Sequence, residues 1–202
     1  RAFVWSGRAV LVPVGKPDLG LTRDGMAHLP RRGGALVVSN HVAYMDAILL
    51  GSAAPRPIHF IVLQWMYDLV LLRWFYWGMG TIPVRAEGQD SRAIRTALRV
   101  LASGGLLAIF PEGSRSADGR MVEPRLGAAL IASMSGVPVI PAFIDGARLS
   151  LPVGGSFPKP ARIHVRFGPP LTCPSNGGRD RGTIAAFSAT LHDAILRLER
   201  AA

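Results

Sequence analysis

Two residues suited to proton transfer, His41 and Asp46, stand five positions apart in "SNHVAYMD" (residues 39–46), directly behind the apolar run "ALVV". An imidazole can take a proton from a hydroxyl, and a carboxylate bonded to its other nitrogen fixes the tautomer and favours the imidazolium that forms. On an ideal helix, residues five apart point about 140° from one another. The pair can therefore meet only if a helix begins between them, with His41 in the preceding turn. Spacing alone leaves a second reading open, a polar strand-to-helix turn in which Asp46 caps the helix. No G-x-S-x-G elbow accompanies the pair, and Ser39 lies on the wrong side of the histidine. A dyad here would activate a hydroxyl of the substrate rather than a serine of the chain.

A second stretch with chemical content is "IFPEGSRS" (109–116). Pro111 and Gly113 force a sharp turn that lifts Glu112, Ser114 and Arg115 out of a strand end. A carboxylate beside hydroxyls and a guanidinium suits a polyol carrying a phosphate; the plainer alternative is a surface turn with an ordinary ion pair.

The elements that must position these residues follow from periodicity. Apolar runs predict strands at 35–39, 58–63, 106–110 and 138–144, and 161–168 alternates with Ile163, Val165 and Phe167 inward and Arg162, His164 and Arg166 outward. Helices are predicted over 44–53, over the aromatic-rich 64–78, from an N-cap at Asp90 to Gly104–Gly105, near 126–135 up to Gly136, and over about 183–199. In the helix after Asp90, Ile94, Ala97, Leu98 and Leu101 share one face and Arg92, Arg95 and Arg99 another. Strands separated by helices predict an α/β fold, a single domain over residues 1–202 whose mostly parallel central sheet is covered by helices. Sites in such folds gather beyond the strand C-termini, where both polar stretches fall.

Composition bounds the partners. The chain has 202 residues, 49% of them hydrophobic and 18% charged, with mean hydropathy +0.28, so it can bury a core of its own. Formal net charge is +10, and Lys16 and Lys159 are the only lysines among 23 basic residues. Such an arginine-rich surface suits anionic partners, but the arginines are scattered and form no nucleic-acid-binding motif; nucleic acid is not expected. The single cysteine, Cys173, rules out an internal disulfide. The oiliest stretch, 60–84, is interrupted by Asp68 and Arg73 and predicts no transmembrane helix. It holds Trp65, Trp74 and Trp77 beside Tyr67, Phe75 and Tyr76, which suit either a membrane interface or the core. The chain opens on Arg1, which leaves room for an upstream targeting or membrane segment. His28, His59, His164 and His192 are read as structural or surface residues.

Taken in order, "NHVAYMD" (40–46), "GTIPVR" (80–85), "FPEGSRS" (110–116) and "VPVIPA" (137–142) closely resemble the four motifs of the glycerolipid acyltransferases, the 1-acylglycerol-3-phosphate acyltransferase (PlsC-type) family. The resemblance covers about residues 24–170. It implies a glycerol-phosphate acyltransferase-like fold and transfer of a fatty acyl group from acyl carrier protein or coenzyme A to the free hydroxyl of a lysophospholipid. The default acceptor is 1-acyl-sn-glycerol-3-phosphate, ahead of lysophosphatidylethanolamine or an amino-acid lipid; a non-catalytic membrane-surface module is the rival reading. His41 would be the base, with Asp46 orienting it. Glu112, Gly113, Ser114, Arg115, Arg85 and Arg125 would bind substrate, and backbone donors near Val137–Pro141 would steady the oxyanion. No metal or organic cofactor is implied. The expected place of work is an anionic membrane surface, peripherally or through an N-terminal anchor, at the cytoplasmic face of the cell membrane. Three positions depart from the family's pattern: Ala43 stands where serine is common, Arg85 comes one position early, and Arg125 replaces a lysine.

Overall fold

The apolar runs become the strands of one sheet. In the computed structural model, described over residues 20–43, 45–85, 90–113, 121–150, 161–174 and 180–201, the strands are β1 (Leu21–Asp24), β2 (Ala35–Ser39), β3 (Ile58–Leu63), β4 (Ile82–Val84), β5 (Leu106–Ile109), β6 (Val139–Asp145) and β7 (Ile163–Phe167). The helices are α1 (Asp46–Ala53), α2 (Gln64–Tyr67), α3 (Val70–Gly78), α4 (Ser91–Ala102), α5 (Gly127–Ser135), α6 (Ala147–Ser150) and α7 (Arg181–Arg200).

The strand order is β1-β7-β6-β2-β5-β3-β4. Every pairing is parallel except β6 with β7. β2 lies between β6 and β5 with all five residues buried, because a parallel strand covered on both faces can be apolar throughout. Alternate side chains feed two cores: Val37 joins Leu49, Leu50 and Phe60 beneath α1, while Leu36 and Val38 join Ala97, Ala132 and Ile195 beneath α4, α5 and α7. β7 alternates as expected, with Ile163, Val165 and Phe167 buried.

Two differences from the sequence expectation have local causes. The helix predicted over 64–78 is broken at Asp68–Leu69: the Asp68 N–H closes α2 on Gln64 O, and Gln64 Nε2 donates to the Asp68 carboxylate. A short acidic side chain favours helix ends over helix interiors. β1 and β4 were not anticipated. β1 is a half-polar edge strand with three of its four residues exposed, and β4 is only three residues long and carries Pro83 at the other edge of the sheet. Proline is tolerated in that position because one side of an edge strand has no ladder to donate to.

The edge of the sheet where β2, β3 and β5 begin is clamped by one side chain. Arg56 donates through Nη1 to Gly104 O at 2.6 Å and through Nη2 to Gly33 O, tying together the loops that enter these three strands. Gly34 in the same region packs so close to the Leu101 carbonyl that a β-carbon would collide with it. Arg56→Ala is expected to lower unfolding free energy by about 2 kcal/mol, the usual scale for hydrogen bonds from a charged donor. Arg56→Lys should recover only part of that, since one ammonium lacks the fork; urea denaturation measures both.

Candidate active site

β2 ends at Ser39, and the next residue continues its pairing with a side chain. Asn40 Oδ1 accepts from Ile144 N–H at 2.8 Å and Asn40 Nδ2 donates to Ile144 O at 3.0 Å, so the buried amide extends the β2–β6 ladder beyond the last strand residue. The main chain is thereby free to turn away, and His41 is the first residue of that turn.

The helix begins at Asp46, as the meeting of the two side chains requires. His41 Nδ1 lies 2.8 Å from Asp46 Oδ2, and the same oxygen accepts from Val42 N–H at 2.7 Å and Ala43 N–H at 2.8 Å. Asp46 caps none of its own helix's free N–H groups; its carboxylate reaches back to the turn before the helix. It is fully buried, and Oδ1 has no hydrogen-bond partner among the described residues, so Oδ2 carries every contact. Two main-chain N–H groups on that oxygen leave it no role but acceptor. Nδ1 is therefore the donor, and Nε2 presents its lone pair on the far side of the ring.

The ring plane is set by stacking. His41 lies on Phe110, centroids 4.3 Å apart and planes 18° from parallel, and Phe110 lies in turn against Phe60 at 6.3 Å. These three residues sit at or beside the neighbouring strands β2, β5 and β3, so the stack runs across the sheet. The imidazole keeps 22% of its surface exposed, enough for a substrate to reach it.

Glu112 joins the second polar stretch to the first. Its Oε1 accepts from His41 N–H at 2.8 Å and its Oε2 from Val122 N–H at 3.3 Å, and it is 3% exposed. Each oxygen takes one main-chain N–H of the chain itself, so Glu112 holds the His41 turn in place. Burial pushes its carboxyl above the usual range, against the lowering pull of those two N–H groups and of His41.

Gly113 has φ +70°, and a β-carbon there would meet the Arg125 guanidinium at 2.9–3.0 Å. Arg125 therefore lies directly over the turn, held there by its own N–H on Pro111 O. Arg85 is not brought to this place. It is exposed at the end of β4, two strands from β5 along the same sheet edge, with its N–H on Asp90 Oδ2, the N-cap carboxylate of α4. A cleft of about 640 Å³ lies there, lined in part by Gln64, Thr81, Arg85 and Arg92. Ser114 and Arg115 fall outside the described residues. Within Val137–Pro141, where oxyanion donors are expected, Val139 N–H already donates to Leu171 O, and Pro138 and Pro141 have no N–H. Sequence reasoning missed the roles of Phe110 and of Val122, whose contribution is a main-chain group. His164, read as a structural or surface residue, has Asp24 Oδ2 at 2.7 Å across the β1–β7 pair.

Asp46→Asn retains an acceptor oxygen but loses the charge that holds three donors. It is expected to cost about 1–3 kcal/mol of stability and to populate the other imidazole tautomer, read from the His41 ring nitrogen shifts in ¹⁵N NMR. Glu112 gives a pH test. Its carboxyl is raised above the ordinary 4.5, so the folded chain holds that proton more tightly than the unfolded chain. Its contribution to stability is complete below the ordinary value and is lost as pH rises through the raised one. Glu112→Gln cannot ionise, so urea denaturation across that window should show the stability difference moving in the variant's favour as pH rises.

A family model described as Acyltransferase matches residues 21–145. Curated relatives include the chloroplastic 1-acyl-sn-glycerol-3-phosphate acyltransferase of Brassica napus, 29% identical over 156 residues, covering 76% of this chain and 44% of that protein. Another is the 1-acyl-sn-glycerol-3-phosphate acyltransferase of Bacillus subtilis, 28% identical over 120 residues and covering 59% of each chain. The chain thus spans about half the length of the curated relatives it matches. Among solved structures, the 1-acyl-sn-glycerophosphate acyltransferase PlsC of Thermotoga maritima superposes with TM-score 0.76 at 23% identity, covering 98% of this chain and 77% of that one, and so shares its fold. With the family match running from β1 to the end of β6 and containing the His41–Asp46 pair, the chain belongs to the acyltransferase family.

Proposed function

We propose that the chain transfers a fatty acyl group from an acyl thioester, carried by acyl carrier protein or coenzyme A, to the free hydroxyl of a lysophospholipid. The acceptor of first choice is 1-acyl-sn-glycerol-3-phosphate, the compound for which its relatives are named, and the product is then phosphatidate. The observation that carries this reading is the tautomer forced on His41 by Asp46 Oδ2, which leaves Nε2 as a base with no serine or cysteine of the chain beside it in the sequence.

In this reaction Nε2 takes the proton of the acceptor hydroxyl as the oxygen attacks the thioester carbonyl. A C–O bond forms, and the tetrahedral intermediate collapses with cleavage of the C–S bond. The imidazolium returns its proton to the departing sulfur, so the base is regenerated and no net charge accumulates. Asp46 stabilises the imidazolium, and Phe110 keeps the ring from rotating out of line. Arg125, over the Gly113 turn, is the described cation we assign to the acceptor's phosphate; Arg115 and Ser114 share that role in the proposal. Arg85 stands about two strand spacings of 4.8 Å from that turn along the same edge, and in the proposal it binds a more distant part of the substrate. As part of the same proposal, the protein works on an anionic membrane surface at the cytoplasmic face of the cell membrane, peripherally or through an N-terminal anchor.

The test is acyl transfer from a radiolabelled thioester to a panel of lysophospholipids. His41→Ala is expected to lower kcat by about 10²–10⁴-fold. Undiminished transfer without His41 would refute the mechanism, and silence of the native protein on every acceptor, with lipid binding intact, would favour a membrane module.

A further inference from the structure

The stripe that α3 turns to water is inverted for a helix in a crossover connection. Val70, Arg73, Trp74 and Trp77 follow the i, i+3, i+4, i+7 rule and fall within an arc of about 100°. Such an arc ordinarily packs on the sheet. Here Val70 is 85% exposed, Trp74 73% and Trp77 71%, with Arg73 exposed among them. Trp65 on α2 and Leu69 in the link extend the same surface, so five of the eight large exposed hydrophobic residues described in the chain lie within this short segment.

We infer that α2 and α3 form a lipid-docking element that seats its tryptophans at the headgroup level of an anionic bilayer. Three arguments converge on a lipid surface rather than a protein partner. Three of the five residues are tryptophan, whose apolar body and polar N–H suit the membrane–water boundary. The charge within the apolar arc is a cation: Arg73 can bury its stem along the patch and keep its head among phosphates. α3 holds no acidic residue, and the nearby Asp68 carboxylate is already bonded by Gln64. Position is the third argument. α2 follows directly from the C-terminal end of β3, which neighbours β5 and its Phe110–Gly113 turn. The patch therefore stands at the same sheet edge as His41, about two strand spacings from β2, and docking would bring the open side of the imidazole to the surface where a lipid acceptor lies. The inference rests on the proposed lipid acyl transfer for its purpose, and on exposure, residue type and charge for its evidence.

The full chain is sedimented with mixed phosphatidylcholine–phosphatidylglycerol vesicles and compared with the double variant Trp65→Ser/Trp77→Ser. Both positions face water, so the variant should melt at the native temperature while its partition coefficient falls about ten-fold or more. Arg73→Glu should weaken binding to these vesicles several-fold and leave binding to pure phosphatidylcholine unchanged. Equal binding by native and double variant would overturn the inference. So would a drop in melting temperature or a loss of self-association without loss of vesicle binding, which would mean the patch is covered by the chain itself or by a second copy. Sedimentation needs no turnover, so the two proposals fail separately. A native protein that binds through these tryptophans but transfers no acyl group refutes the chemistry alone. Undiminished transfer to vesicle-embedded acceptor by the double variant refutes the docking alone.

Discussion

One oxygen atom organises the site. Asp46 Oδ2 receives an imidazole N–H and two consecutive main-chain N–H groups while the carboxylate is wholly out of water. Hydrogen bonds to such a group are strong because the surroundings screen them poorly, and each missing donor would leave a buried charge short of a partner. The turn at residues 41–43, the first residue of α1 and the imidazole ring therefore become ordered together. The dyad is part of the way this helix starts, and the chain cannot form one without the other.

The remaining contacts protect that arrangement from drift. Asn40 lets β2 keep its hold on β6 for one residue more than its main chain allows. Glu112 holds the His41 N–H from the next strand over, and Phe110 lies flat against the ring. Parallel strands make this possible, since β2 and β5 end side by side and deliver their following turns to one place. The resulting carboxylate pair is asymmetric in use. Asp46 orients the imidazole through its side chain, whereas Glu112 holds the same residue by its backbone.

Much of this was legible in the sequence because it rests on spacing. A separation of five required a helix start between His41 and Asp46, and the helix starts at Asp46. Uninterrupted apolar runs marked β2 and β5, and alternation marked β7, since each pattern reports which faces are covered. What could not be read was anything carried by a main-chain group from a distant segment. Val122 N–H on Glu112, the Asn40–Ile144 pair and the Val139–Leu171 bridge have no signature in residue type. The same holds for Glu112: its residue type marks a polar turn, and the two main-chain N–H groups it accepts do not show in the sequence. β1 and β4 escaped because edge strands of three or four residues need neither a long apolar run nor clean alternation.

The Arg56 clamp sits at the opposite end of the strands from the dyad. Mechanical integrity and reactivity thus occupy separate margins of the molecule, joined only by the length of the strands. Adaptation to heat or cold can then proceed through the loops around Gly33, Arg56 and Gly104 while the His41 margin stays as it is. A breeder of hardier variants would begin there, and could leave the other margin untouched.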